Sequence, residues 1–475
     1  MMAKTQAHPH VVVFICDQMQ AQRLGAVDNV AVTPTLDGLA KQGIVFSNMF
    51  CSSAQCVPSR VSLQTGLYPH EAQVMTNFPF FGHTRHIDDT FTTIGHVFKN
   101  AGYATAYFGK RHFGYPINRL GYEISNTPRV PGSNADKDRV FNDETLAFLR
   151  TYDRSHPLFL TVSYHEPHPP FELVPGFSKD YDTDTLPLPL SFYQDDLSTK
   201  PRFQREHANT SDHGVKEEVL RYELSCYYSM ISHVDALVHE VLQALSDQGM
   251  RENTIVFFTS DHGDMMGSHR MRLKGTLPYD ELFRVPAILQ LPNGRLGGRV
   301  VDRLVSNTAI PGTILEAAGM SGCSSQLKDR SVLALAEPSE DLRSPSPPSE
   351  EMVFFEHYAA YWGLHPFRAI RMRFPQEINS VDKALCGTEW KYVYYYGLDQ
   401  CEELYNLTAD PDELVNLAEV DTPNLGLLKA TLSRHLNQWW METGGREFSE
   451  YEQDAFKLRQ DATFYSELEY GENDG

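Results

Sequence analysis

A chain of 475 residues is too long for one simple core and carries about two to three domains' worth of mass. Its 41 Lys and Arg against 62 Asp and Glu leave a formal charge of −21, which argues against a general nucleic-acid binder and against docking on anionic membranes. An acidic protein that binds an anion must gather its cations locally, so clustered Lys, Arg, His or metal are expected at such a site.

In chain order, Met1 to His10 has no apolar core of signal-peptide length, and no later stretch is long enough to span a bilayer. The seven cysteines (Cys16, Cys51, Cys56, Cys226, Cys323, Cys386, Cys401) are odd in number and show no pairing rhythm. A reducing cytoplasm is the expectation, or a periplasmic or secreted location if a signal was removed. Val11 to Cys16 is a continuous apolar, β-branched run, as in a buried parallel strand, and it ends in Asp17-Gln18. Side chains at the carboxyl end of the first strand of an open α/β sheet sit where ligands bind. Thr33-Pro34 is expected to cap a helix through Leu36, Leu39 and Ala40, stopped by Gly43, and Ile44 to Phe46 leads toward Cys56.

In Cys56-Val57-Pro58-Ser59-Arg60, Pro58 is pre-set for the first turn of a helix, and Gly66 is a natural residue just past its end. Cys56 is therefore expected where a loop feeds a short helix, whose free amides and positive end suit an anionic group. Arg60 can present its fork of donors to the same point. Taken alone, the stretch also reads as a small buried helix with an ordinary core cysteine.

Thr92 to Ala101 is expected as a helix and Tyr103 to Phe108 as a strand that delivers Gly109-Lys110-Arg111-His112; Lys and His two apart at a strand end can face one pocket. A helix is expected over Asn142 to Tyr152 and a buried strand over Pro157 to Tyr164, emptying into His165-Glu166-Pro167-His168-Pro169-Pro170. Prolines on both sides of His168 fix its backbone, with His165 a second candidate. Ser178 to Asn209 reads as a long insertion over the sheet edge and part of a substrate mouth. Lys216 to Gln248 has long-helix character, with a stripe from Leu220 to Leu245 that is core packing. Thr254 to Ser260 is the clearest strand; it delivers Asp261-His262-Gly263-Asp264, a metal-type pair, then His269 and Lys274. Pro286 to Leu291 adds a strand and Thr308 to Ala318 a helix.

A Pro- and Ser-rich stretch at 337–351 reads as a linker, between a large α/β unit at 1–336 and a smaller one at 352–475. Short strands are expected at Met352 to Phe355, Phe367 to Met372 and Trp390 to Tyr395, and a helix at Leu425 to Trp440. The acidic tail from Glu447 reads as an arm over the body or a partner subunit in a homo-oligomer.

Cys56-x-Pro58-Ser59-Arg60 resembles the signature of cysteines oxidised to formylglycine, and the chain resembles the formylglycine-dependent sulfatases of the alkaline-phosphatase-like superfamily. The segments Thr33-Pro34-x-Leu36-x-x-Leu39-Ala40-x-x-Gly43, Gly66-Leu67-Tyr68-Pro69-His70, Gly109-Lys110-x-His112, Pro167-His168-x-Pro170 and Asp261-His262 follow in the family's order. The resemblance extends from Val11 to about Trp440 and implies an α/β fold: a large mixed, mostly parallel sheet flanked by helices, then a small antiparallel sheet with a packed helix. It implies a sulfuric ester hydrolase whose Cys56, matured by a formylglycine-generating enzyme, provides a hydrated aldehyde as nucleophile, polarised by a metal and by Arg60. Lys110 and Lys274 then hold the sulfate, His168 assists the leaving alcohol, and His112 is the base that releases sulfate. Asp17, Gln18, Asp261 and His262 are implied as ligands of a divalent metal, calcium by family habit, with manganese or magnesium admitted by the imidazole and by Gln18 in place of a second acid. The substrate is expected to be a sulfated carbohydrate or an aryl sulfate; a phosphonate monoester or phosphodiester on the same fold is the alternative. Phe78, Phe80, Phe81, His83, Tyr107, His357, Trp362 and Arg368 are candidate pocket residues.

Overall fold

The apolar run at Val11 to Cys16 is buried on both faces because it sits in the middle of a large sheet. The computed structural model describes residues 8–451 apart from 78–90, 114–115, 126–129, 211–213, 276, 325, 328–329, 338–350, 359–364, 376–384, 397–400 and 448. The strands of the first 306 residues are β1 (His10–Cys16), β2 (Ile44–Phe46), β3 (Met49–Phe50), β4 (Ala104–Gly109), β5 (Ile124–Ser125), β6 (Leu158–Ser163), β7 (Thr254–Ser260), β8 (Ala287–Gln290), β9 (Arg299–Val301) and β10 (Val305–Ser306). Eight of them form one sheet in the order β5-β4-β6-β1-β7-β8-β2-β9, with β8 alone antiparallel to its neighbours, while β3 and β10 pair separately.

Register explains where chemistry collects. Gly109 of β4 and Ile15 of β1 both lie beside Ser163 of β6, and Cys16 lies beside Ser260 of β7. Four neighbouring strands therefore end level, so Lys110, Asp17 and Asp261 leave the sheet side by side at its carboxyl edge. The end of β4 admits only glycine: at Gly109 φ is +97°, and a Cβ there would lie 1.9 Å from the Ser163 carbonyl oxygen.

The helix Glu217–Asp247 covers one face of the sheet with the predicted stripe, packing Leu220, Leu224, Val234 and Val241 against Val12, Phe14 and Val256. The short helix Cys56–Thr65 lies on the opposite face, and all of its side chains are buried. Two helix starts differ from expectation. The helix expected at Asn142 begins at Asn134, eight residues earlier, where Ser133 and Asp136 form a capping box ahead of the apolar periodicity. Thr33 precedes the helix Pro34–Gln42 but does not cap it with its side chain. Asp235 of the long helix accepts the Thr35 and Leu36 amides instead, at 3.1 and 2.8 Å.

Beyond position 350, β11 (Glu351–His357), β12 (Phe367–Arg373), β13 (Glu389–Tyr395) and β14 (Glu402–Asn406) form an antiparallel meander. Its alternation is two-sided. Phe355, Ala369, Val393 and Tyr405 enter the core beneath the large sheet, whereas Ile370, Met372, Tyr392 and Leu404 pack on Leu428, Leu432 and Leu436 of the helix Pro423–Glu442. The Ser178–Asn209 insertion reaches this meander as well as the large sheet: Lys200 Nζ donates to Tyr405 Oη at 3.0 Å, and Gln204 Nε2 to Glu403 Oε1 at 2.8 Å. Lys391 of β13 holds Asp280 at 2.6 Å and Glu413 at 2.7 Å, closing the seam with buried ion pairs. The linker expected at 337–351 falls mostly on 338–350, and the tail beyond Tyr451 follows it, outside the described residues. Among the described residues no helix is long and apolar enough to cross a membrane.

Gly109→Ala is expected to lower stability by about 2–4 kcal/mol, measured as the midpoint of denaturant unfolding. Gly102→Ala also carries a positive φ, but its Cβ would enter open space, so it should cost only about 1 kcal/mol.

Candidate active site

Cys56 is the first residue of its helix, with Gln55 extended before it and Gly66 closing the far end at φ +67°. Asn77 caps the first turn: its Oδ1 accepts the Val57 amide at 2.9 Å, and its own amide donates to Gln55 Oε1 at 3.0 Å. Arg60, one turn on, is completely buried. Its Nε donates to Asp261 Oδ2 at 2.8 Å, one Nη to Asp17 Oδ2 at 3.0 Å, and the other to Ser163 Oγ at 2.8 Å and the Lys110 carbonyl at 3.3 Å. The fork expected to turn toward Cys56 is thus spent on the two carboxylates and the strand ends around them. In this geometry Arg60 holds the two carboxylates in place.

The Cys56 sulfur lies 2.9 Å from Lys274 Nζ, 3.2 Å from His262 Nε2 and 3.9 Å from Asp17 Oδ1. Burial and the Asp17 charge push its thiol up, but Lys274 and His262 outweigh them and hold it well below its ordinary range. Lys110 Nζ sits 2.8 Å from Asp17 Oδ2. Burial would raise the Asp17 carboxyl, yet Lys110, His168 and Arg60 together hold it well below the usual carboxylate range.

Ligand atoms of Asp17, Cys56, Asp261 and His262 all lie within 4.8 Å of one another, in buried surroundings. His262 Nδ1 donates to the Gly263 carbonyl at 2.8 Å, so in the neutral ring the Nε2 lone pair faces the group. Lys274 Nζ provides a direct test of fit: a cation is held there by Gln18 Oε1 at 2.9 Å, Cys56 Sγ at 2.9 Å and His262 Nε2 at 3.3 Å. Two carboxylates, an amide oxygen and an imidazole make a donor set suited to a divalent metal ion.

The histidines arrive from separate loops. β4 ends at Gly109 and His112 has a φ of +48°, so Lys110 and His112 meet at the site through a left-handed turn; strand alternation, the expected reason, plays no part. His112 and His168 both act on the Cys56 side chain: His112 is among the groups that hold its thiol down, and Cys56 is among those that raise His168. His168 Nδ1 donates to the Pro169 carbonyl at 2.6 Å, its own carbonyl takes Asn134 Nδ2 at 2.7 Å, and Nε2 points inward, 4.0 Å from Asp17 Oδ1. Burial, Lys110 and Lys274 push its imidazole down to about 4. His165 is held by Asp138, which accepts both its amide and its Nδ1 at 2.8 Å.

Each sequence-predicted catalytic or metal residue therefore reaches one site. The wider pocket expectation fares differently. Tyr107 is a core residue whose hydroxyl donates to the Lys110 carbonyl at 2.7 Å. His357 is buried beside Gln55 Nε2 at 3.3 Å, and Arg368 lies over Trp440 at 5.1 Å on the meander. Phe78, Phe80, Phe81, His83 and Trp362 lie outside the described residues. His269 belongs elsewhere, paired with Asp195 at 2.6 Å and stacked on Tyr279. Three supporting groups escaped the sequence reading. Ser163 takes Arg60; Ser59 Oγ donates to the Asp261 carbonyl at 2.5 Å; and Asp264 receives Gln18 Nε2. The cues in sequence were the place of Ser59 inside the Cys56 signature and the nearness of Asp264 to Asp261-His262.

The Sulfatase family model matches residues 9–320, and the model for the C-terminal region of N-sulphoglucosamine sulphohydrolase matches residues 267–442. Among relatives, an uncharacterised sulfatase, YidJ, of Escherichia coli K12 is 29% identical over 427 residues, covering 82% of this chain and 78% of its own. Choline-sulfatase of Rhizobium meliloti is 28% identical, covering 92% and 88%. The crystal structure of phosphonate monoester hydrolase from Agrobacterium radiobacter superposes with a TM-score of 0.71 at 21% identity, covering 92% of this chain and 96% of that one, a likeness of fold. With a family model spanning the large sheet and every residue of the site, the chain belongs to the sulfatase family of sulfuric ester hydrolases.

Proposed function

We propose that this sulfatase cleaves the sulfate ester of a sulfated saccharide or an aryl sulfate, with Cys56 converted to formylglycine and one divalent ion, calcium in the first instance, among Asp17, Gln18, Asp261 and His262. The observation that carries the proposal is the placement of Cys56 Sγ within hydrogen-bond reach of Lys274 and His262, with Lys110 and His168 gathered around the same Asp17. The match of residues 267–442 to the C-terminal region of a sulphoglucosamine hydrolase favours a saccharide.

The ion would add Lewis acidity toward a sulfate oxygen, and formylglycine a hydroxyl nucleophile with a second hydroxyl for release of sulfate. The remaining work falls to side chains. Lys110 and Lys274 bind sulfate oxygens and take up charge that shifts onto them during transfer. His168 is neutral while two ammonium groups face it; an arriving sulfate screens that repulsion and lets Nε2 carry a proton toward the leaving oxygen. His112, one of the groups that act on the residue 56 side chain, would take a proton from it.

The direct test compares a nitrophenyl sulfate with a phenylphosphonate monoester. Turnover at least about tenfold faster on the sulfate is expected, and the reverse preference would make the enzyme a phosphonate hydrolase. Intact mass of the Cys56 peptide should fall by about 18 Da on conversion, and Cys56→Ser should lose at least about 1,000-fold in kcat because serine offers no second hydroxyl. His168→Gln should lower kcat by about 100- to 10,000-fold while KM moves only a few-fold, measured by steady-state kinetics on the same sulfate. Chelation should abolish activity and lower Tm; the ion that restores both, among calcium, manganese and magnesium, identifies the native metal.

A further inference from the structure

Gln18 stands where a second acid is usual, and its amide has two ends that differ in chemistry. Only the oxygen can ligate a cation, and only the nitrogen can donate. The backbone holding it is fixed: φ is +74°, its amide donates to Asp261 Oδ1 at 3.0 Å, and its carbonyl accepts Tyr227 Oη at 2.6 Å. What remains to be set is which end of the side chain faces Cys56 and His262.

Asp264 decides this. Its Oδ1 accepts the Met266 amide at 2.8 Å and the Leu273 amide at 3.0 Å, and its Oδ2 accepts Gln18 Nε2. The carboxylate already holds two backbone N–H groups and is acceptor-only when ionised, so the amide nitrogen faces it and the oxygen turns the other way. On that side the oxygen meets Lys274 Nζ at 2.9 Å, a donor-only group. We infer that Asp264 is a positioning residue for the metal: it orients the Gln18 amide so that oxygen faces the ligand group, and it places the missing second negative charge one hydrogen bond behind it. This rests on the metal reading above and deepens it.

Two variants separate the paired role of Asp264 and Gln18 from a merely structural carboxylate. Asp264→Asn keeps Oδ1 for the two amides but presents Nδ2 to Gln18, a donor against a donor. The Gln18 amide then flips and offers its nitrogen to Lys274 and the metal. Adding Gln18→Glu restores an acceptor opposite Nδ2 and an oxygen toward the ligands, at the same total charge and nearly the same shape as the original pair.

Binding of Mn2+ and of Ca2+, each titrated into chelator-stripped enzyme and read by competition with a metallochromic dye, tests it without reference to turnover. D264N is expected to bind about 10- to 100-fold more weakly than wild type, and Q18E/D264N to return to wild-type affinity or better. Wild-type affinity in D264N would overturn the orienting role and leave the metal reading standing. A double variant as weak as D264N would overturn it as well, since a merely structural carboxylate is not replaced by moving it to position 18. If D264N does not fold, a folded double variant with wild-type affinity supports the inference, and one without it refutes it. Wild-type enzyme that binds neither ion would remove the metal reading itself, and this inference with it.

Discussion

One guanidinium ties together the ends of four adjacent strands. Arg60 reaches Asp17 after β1, Asp261 after β7, Ser163 at the end of β6 and the Lys110 carbonyl after β4. Asp17 and Asp261 are buried on neighbouring strands, and without a cation between them their repulsion in a low-dielectric interior would oppose the register that brings them together. Leaving such a charge unpaired costs about 3–5 kcal/mol, a large share of a domain's stability. Arg60 can bridge them only because the helix that carries it is wholly buried at the level where the strands end, and that helix also begins with Cys56. The position of Cys56, the two carboxylates and the strand register are therefore tied together by a single side chain.

Charge at the site is finely matched. Three cations, Arg60, Lys110 and Lys274, stand among Asp17, Asp261 and Asp264 in a chain whose overall charge is −21. On the function proposed above, a divalent ion added to these groups would leave a local positive excess for a sulfate ester. Burial first, and then the ammonium groups of Lys110 and Lys274, keep His168 neutral.

Much of this was legible in the residues. β1, β6 and β7 announce themselves as apolar runs, each emptying into a polar pair or triad, and the Cys56 helix is bracketed by Pro58 and Gly66. What stayed hidden depends on contacts distant in sequence. Thr33 has the chemistry of a cap, but Asp235, two hundred residues away, takes the amides it was expected to satisfy. Asn134 to Phe141 is too polar on its outer face to show helical periodicity, although Ser133 and Asp136 mark its start. Tyr107 looked like a pocket wall because aromatic residues suit sugars, yet alternation along β4 turns it into the core. The orientation of the Gln18 amide has no signature in sequence at all, since it is decided by which neighbour donates and which accepts.

The two-sided meander has a mechanical corollary. Phe355, Ala369, Val393 and Tyr405 are roofed by the same apolar layer that holds Val61 and Leu63 of the nucleophile helix, and Lys391 and Arg371 clasp Asp280 from the same sheet. Peeling the carboxyl-terminal portion away would strip hydrocarbon from beneath the Cys56 helix and take from Asp280 its two ion-pair partners, Arg371 and Lys391. The molecule is thus expected to melt as one cooperative block, and a backbone nick in the Pro- and Ser-rich stretch would leave both fragments clamped together.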